Sequence, residues 1–322
     1  MEGDLRGPYI SQFLYHDIKI GGLLHKQQYI TNLEGTDYMK DWDTVIKSQN
    51  GIIIDIPPSI RESPRYIITG RDLACYLHIS DISQIFHNTL LILLDMNIPM
   101  NPNIRKLHRF NPTEHYSIDL GKYDIQGMIS TVTRSALLAS WYVKWKTLFL
   151  RPERYGIEVE RIYRDNRNKY GISPKLLKNR IIQRVKSKNN SVLLSQVYQE
   201  GAPLYPANCS SYGTVAGACA TVLKFFFDID YEMDIYEPDH NGYNLIKTGK
   251  HTTVGDEINK LACNIAIGRS WAGVNYHMDA ISGLKRGEKV AISCLQESIY
   301  RYPFSLSVNL RRFNNTTITI HN

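Results

Sequence analysis

The chain lacks paired cysteines. Its five, Cys75, Cys209, Cys219, Cys263 and Cys294, form no CxxC spacing and are odd in number. A disulfide framework is set aside, and free, mostly buried thiols in a reducing compartment are expected. A long hydrophobic run is also missing. The most apolar stretch, residues 82–96, is short for a membrane span and carries Ser83, Gln84, His87, Asn88 and Asp95, so it reads as a buried helix. The N-terminus, MEGDLRGPYI, begins acidic and has no apolar centre, so no signal peptide is expected. Without secretion the sequons at Asn189, Asn208 and Asn314–Asn315 carry little weight. The expected location is cytoplasmic or, for a viral source, the virion; plentiful Ile, Asn, Tyr and Lys beside modest Ala hint at an AT-rich genome. Low-complexity tracts and short repeats are absent.

What is present is 322 residues, 43% of them hydrophobic, enough for a sizeable core. The formal charge is +7, and residues 151–190 hold twelve Lys/Arg against four Asp/Glu, so the rest of the chain is near neutral. Such a segment fits nucleic acid, another anionic surface or an anionic ligand; its plain alternative is a solvated surface helix.

Residues 1–60 read as an extended wrapping segment, punctuated by Gly21-Gly22, Gly35, Gly51 and Pro57-Pro58. From Gly70 to Met96 apolar residues return on a helical period, with Pro99 as the stop. Residues 98–122, with Pro99, Pro102 and Pro112, read as a loop. A second long helix is expected over 124–150, ended by Arg151-Pro152, and Ser173-Pro174 opens another over about 175–187. Further helices are expected at 210–227, from Thr253 to about Trp271, with a Thr253/Asp256 capping box, and at 280–300. The end alternates around Asn314-Asn315, the pattern of a hairpin. The sum is an all-α chain with at least five helices long enough to pack as bundles.

Three stretches carry convergent polar groups. Lys144 and Arg151 lie seven residues apart, nearly two helical turns, which places both cations on one face of a helix end; two snorkelling cations at a helix C-terminus would look the same. The segment Tyr205–Ser211 delivers Asn208 and Cys209 to a helix N-terminus, where free N–H groups favour anions. The segment Gly268–Asp279, GRSWAGVNYHMD, aims Arg269 and Asn275 at one region.

In this order the three resemble the vanadium-dependent haloperoxidases and the wider type 2 phosphatidic acid phosphatase superfamily, whose pattern is Lys-x6-Arg-Pro, Pro-(Ser/Ala)-Gly-His and Ser-Arg-x5-His-x3-Asp. Stretches such as GRDLACYLHI, WYVKWKTLFLRPERYG and VGDEINKLACNIAIGRSWAGV extend the likeness over nearly the whole chain, toward the bacterial and cyanobacterial types. The resemblance implies two four-helix bundles, about 61–150 and 170–302, within one domain over 61–322 that closes on a hairpin at 303–322. It also implies an oxyanion cage at the end of the second bundle and a dimer or larger homo-oligomer. Lys144, Arg151 and Arg269 match the cage that holds vanadate or phosphate, and Asp279 matches the closing aspartate. The departures are Asn208 for the family glycine, Cys209 for its acid/base histidine, and Asn275 for the histidine that ligates vanadium or attacks phosphorus. His277 lies two positions on, about 200° around a helix, and faces away.

An amide supplies neither a metal-ligating imidazole nor a nucleophile, and general acid–base help is worth about 10²–10⁴-fold. The resulting expectation is a pseudoenzyme with an oxyanion pocket and a structural or assembly role. The rival is an active haloperoxidase or phosphatase using Cys209 or His277; Cys209 near a helix N-terminus and three cations has a setting that favours a thiolate. No metal ligands are expected; vanadate or phosphate is the oxyanion that the Lys144/Arg151/Arg269 cage could hold. A third reading, nucleic-acid binding through the basic segment, meets only sparse aromatics there: Tyr155, Tyr163 and Tyr170.

Overall fold

The computed structural model describes residues 9–110, except 53, 55, 56 and 58, and residues 119–322. The first eight residues, Pro58 and the loop expected around Pro112 lie outside the described ones. After a short turn at Gln12–Leu14 come the hairpin β1 (Ile18–Ile20) and β2 (Leu23–His25), then α1 (Trp42–Gln49), α2 (Gly70–Ile79), α3 (Ile82–Asp95), α4 (Pro102–Phe110) and α5 (Lys122–Thr147). The basic segment forms α6 (Pro152–Asp165), α7 (Pro174–Leu177) and α8 (Arg180–Asn189). Then follow α9 (Ser211–Phe226), the hairpin β3 (Glu232–Pro238) and β4 (Leu245–Thr253), α10 (Val254–Trp271), α11 (His277–Ile299), and the hairpin β5 (Ser307–Arg311) and β6 (Thr317–His321). The chain is all-α, with three small two-stranded sheets among the described residues.

Helix α9 is the centre. Every residue from Gly213 to Phe226 is buried, and α3, α5, α10 and α11 pack around it. Its approach to α11 is close because each helix offers a glycine to the other's backbone: a Cβ on Gly287 would lie 2.0 Å from the Thr214 carbonyl oxygen, and one on Gly217 would lie 2.3 Å from that of Leu284. Helix α5 presents a stripe at helical spacing, Ile125, Met128, Ile129, Val132, Ala136, Ser140 and Lys144. Its apolar part joins the core and its last member is a charge.

Several expected boundaries move. The pattern over 70–96 is two helices, because Ser80 is extended and the Asp81 side chain caps α3 through the Gln84 N–H. Helix α5 stops at Thr147, where Leu148 turns left-handed at φ 50°. Arg151 is therefore not on α5 but is the N-cap of α6, with Pro152 at its first position; the same-face reading of Lys144 and Arg151 is corrected. The loop expected over 98–122 contains α4, the N-terminal segment contains α1, and the basic helix divides at Lys178–Asn179 into α7 and α8. The β3–β4 hairpin has no counterpart among the expected elements. The C-terminal hairpin stands as expected, with Asn315 at φ 62° in its turn. Among the cysteines, Cys75, Cys209 and Cys219 are buried, Cys294 is half-buried and Cys263 is exposed; all are free.

Candidate functional site

Lys144 ends the buried stripe of α5, and only 1% of it is exposed. Its ammonium donates to the carbonyls of Pro206 (2.9 Å) and Ala207 (3.0 Å) and lies 4.8 Å from the Tyr205 ring centroid. Burial brings its pKa down to about 8; the Arg269 charge adds to the fall, while Cys209 and Asp279 oppose it.

The loop carrying those carbonyls is fixed at both ends. The Ala207 N–H donates to the Phe149 carbonyl, and the Ser210 N–H to the Asp279 carbonyl on α11. Ser210 caps α9 through the Gly213 N–H. Cys209, just before the cap, is fully buried, with its sulfur 3.5 Å from the Thr214 hydroxyl. Asn208 accepts from the Ser282 hydroxyl of α11 at 3.2 Å.

Asn275 lies between α10 and α11. Its side-chain amide donates to the Ala207 carbonyl (3.1 Å) and to Asp279 Oδ2 (3.4 Å). Lys144 and Asn275 thus share one carbonyl acceptor. Asp279 is fully buried; its Oδ2 accepts from the Tyr276 N–H at 2.9 Å, and its Oδ1 has no partner. Burial pushes this carboxyl up, against the pull of those hydrogen bonds and of Lys144. His277, on the first turn of α11, is exposed.

The two arginines part company. Arg269 is 4% exposed: it donates to the Tyr198 hydroxyl at 3.0 Å, lies 4.5 Å from the Tyr212 ring centroid, and leaves its Nε unpartnered. No carboxylate among the described residues pairs with it. Burial pushes Tyr198 up to about 12, against the pull of Arg269. Arg151 instead pairs with Glu153 through Nε and donates to Gln49 Oε1 at 2.7 Å. Glu153 is itself buried, and burial raises its carboxyl although Arg151 opposes this.

The fold therefore gathers Lys144, Asn275 and Asp279 at the loop that carries Cys209, while Arg269 is held by Tyr198 and Tyr212, Arg151 by Glu153 and Gln49, and Asn208 turns to α11. Sequence reading missed Glu153, Gln49, Tyr198 and Tyr212. Glu153 was available two residues after Arg151; Gln49 and Tyr198 are far along the chain from the arginines they meet and gave no local signal. His78 also went unnoticed. Its ring stacks on Tyr198 with centroids 3.9 Å apart, and it pairs with Glu200 at 2.7 Å.

No family model matches the chain. It is 32% identical over 330 aligned positions to the vanadium-dependent bromoperoxidase of Corallina officinalis, covering 94% of this chain and 55% of that one. It is 30% identical over 334 positions to the bromoperoxidase of Ascophyllum nodosum, covering 98% and 59%. The structure superposes with a TM-score of 0.88 and 25% identity on the homohexameric second vanadate-dependent bromoperoxidase of Ascophyllum nodosum, again over 98% of this chain and 59% of that one. The chain spans little more than half the length of these relatives. By sequence and by fold, it belongs to the vanadium haloperoxidase family.

Proposed function

We propose that this chain keeps the haloperoxidase scaffold without its turnover and serves as a binding or assembly protein. One observation carries the reading: Lys144, a cage cation by resemblance, is spent on the Pro206 and Ala207 carbonyls, and Asn275 donates to the second of these. Asn275 Nδ2 binds that carbonyl and Asp279, and the amide has no imidazole to offer a metal. Cys209, at the acid/base position, is sealed against Thr214. Vanadate held through an imidazole does not fit this donor set. Arg269, buried with a free Nε, is the group best placed to retain an oxyanion such as phosphate or vanadate by charge-assisted hydrogen bonds.

An assembly role draws support from the outer face of α5. Trp141, Tyr142 and Trp145 are 41%, 67% and 54% exposed, and exposed Leu148 and Phe149 continue the patch. Monomers seldom leave so many large apolar side chains together in water. A second copy of the chain is the proposed cover, in keeping with the hexamer formed by the Ascophyllum protein. Among the described residues no helix is long and apolar enough to cross a membrane.

The test is bromide oxidation with peroxide, and phosphate-ester hydrolysis, in the natural protein with vanadate supplied and in an Asn208→Gly, Cys209→His, Asn275→His variant. The natural protein should turn over nothing and the variant should gain bromide oxidation. Turnover by the natural protein that is lost in Cys209→Ser would overturn the reading and favour the enzyme.

A further inference from the structure

The surface formed by α6–α8 is basic beyond what its own acids can balance. Residues 161–190 contain ten Lys/Arg and one acid, Asp165. The acids just upstream are engaged: Glu158 with Arg154 and Arg161, and Glu160 with the Val192 N–H. Lys188 pairs with Asp37. Arg167, Lys175, Lys178, Arg180 and Arg184 are exposed and form no ion pair with any described residue. Helices α7 and α8 bury no residue completely.

The apolar side of this layer is already used. Leu176, Leu177 and Ile182 pack on the small core of Val159, Ile172 and Val192, leaving Ile181 as the large aliphatic outside. A membrane-lying helix needs a free apolar face, and this one has spent it on the protein. Two exposed rings stand among the cations instead. Tyr163 is 40% and Tyr170 59% exposed, with the ammonium groups of Lys186 and Lys169 at 4.8 and 5.4 Å from their ring centroids. Cations that follow a backbone beside rings that accept a base are the features of single-strand recognition.

We infer that the α6–α8 surface binds single-stranded nucleic acid, through phosphate contacts from its unpaired Lys/Arg and base stacking on Tyr163 and Tyr170. The binding is independent of base sequence, because the contacts are to phosphates and to π faces. It is also independent of whether the candidate site around Lys144 turns anything over.

The experiment is fluorescence anisotropy of the full chain with a labelled single-stranded 20-mer between 50 and 200 mM salt. About six phosphate contacts give a slope of log K against log salt near −4, roughly a few hundred-fold loss of affinity over that range. Arg180→Glu with Arg184→Glu should cost at least tenfold at 50 mM and flatten the slope by about 1.4. Tyr163→Ser with Tyr170→Ser should weaken binding several-fold and leave the slope unchanged. Lys285→Glu with Lys289→Glu, exposed on α11, should change affinity less than twofold. The inference is overturned if the natural protein does not bind the 20-mer at 50 mM salt. It is equally overturned if the α8 reversals bind like the natural protein, or if anionic lipid vesicles bind where the oligonucleotide does not.

Discussion

Replacing Lys144 by methionine separates a working oxyanion cage from a retired one. A fall from 10.5 to about 8 corresponds to about 3 kcal/mol held against the charged side chain at neutral pH. Methionine removes that burden and fills a similar volume. It also removes two hydrogen bonds, but Ala207 keeps the Asn275 donor and the Pro206 loop is only half-buried, so the loss is about 1–2 kcal/mol. In anion-free buffer at pH 7, Lys144→Met should be as stable as the natural protein or up to about 2 kcal/mol more so, by urea denaturation at unchanged m-value. That advantage should fade toward pH 10, as the lysine loses its charge. A bound oxyanion would reverse the sign, because its charge would hold the ammonium and the variant would forfeit the pair. A loss above about 1 kcal/mol in anion-free buffer would refute the reasoning. Vanadate or phosphate raising the natural protein's Tm, but not the variant's, would show that the cage still works through Lys144.

Three further outcomes follow from the same physics. Lys224 is buried with its ammonium unpartnered, 4.0 Å from the Phe313 ring centroid, and burial brings its pKa down to about 8. Both lysines bind their proton less tightly in the folded chain than in the unfolded one. Stability should therefore rise from pH 8 to 9.5, and Lys224→Met should flatten that rise and add about 1 kcal/mol at pH 7 in thermal or urea melts. Asp72 accepts from buried Arg65 at 2.8 Å, from the Thr31 hydroxyl and from the Ile68 and Thr69 N–H groups. Asp72→Asn strands the guanidinium and should cost about 3–5 kcal/mol in urea; a loss under 1 kcal/mol would remove the pair from the account. Gly287→Ala puts a methyl 2.0 Å from the Thr214 carbonyl oxygen and 2.6 Å from the Ala218 nitrogen. It should cost at least about 2 kcal/mol by forcing α9 and α11 apart, and an unchanged denaturation midpoint would mean that the crossing is looser than described.

The sequence by itself determined the long core helices, over 82–95, 122–147, 211–226, 254–271 and 277–299 in outline, but not the shorter ones at Trp42–Gln49, Pro102–Phe110 and Pro152–Asp165. Those signals are local: an apolar period, a capping residue, a motif spacing. It also put Gly213, Ala216, Gly217 and Ala220 on one side of the 211–226 helix, though that α9 is the buried centre came from the structure. Apart from Glu153, two residues after Arg151, which groups answer the cations was decided by tertiary structure. Gln49 reaches Arg151 across 102 residues, and Tyr198 reaches Arg269 across 71; no periodicity records such meetings. The break at Leu148 was also hidden, because Trp145 to Leu150 is as apolar as the helix before it, and only the packing of the following turn selects the left-handed residue. That break separates Arg151 from Lys144 and leaves it to Glu153. A cation's partner is set by what packs against it in three dimensions, and this is why the candidate residues could be named from motif spacing while their pairing could not.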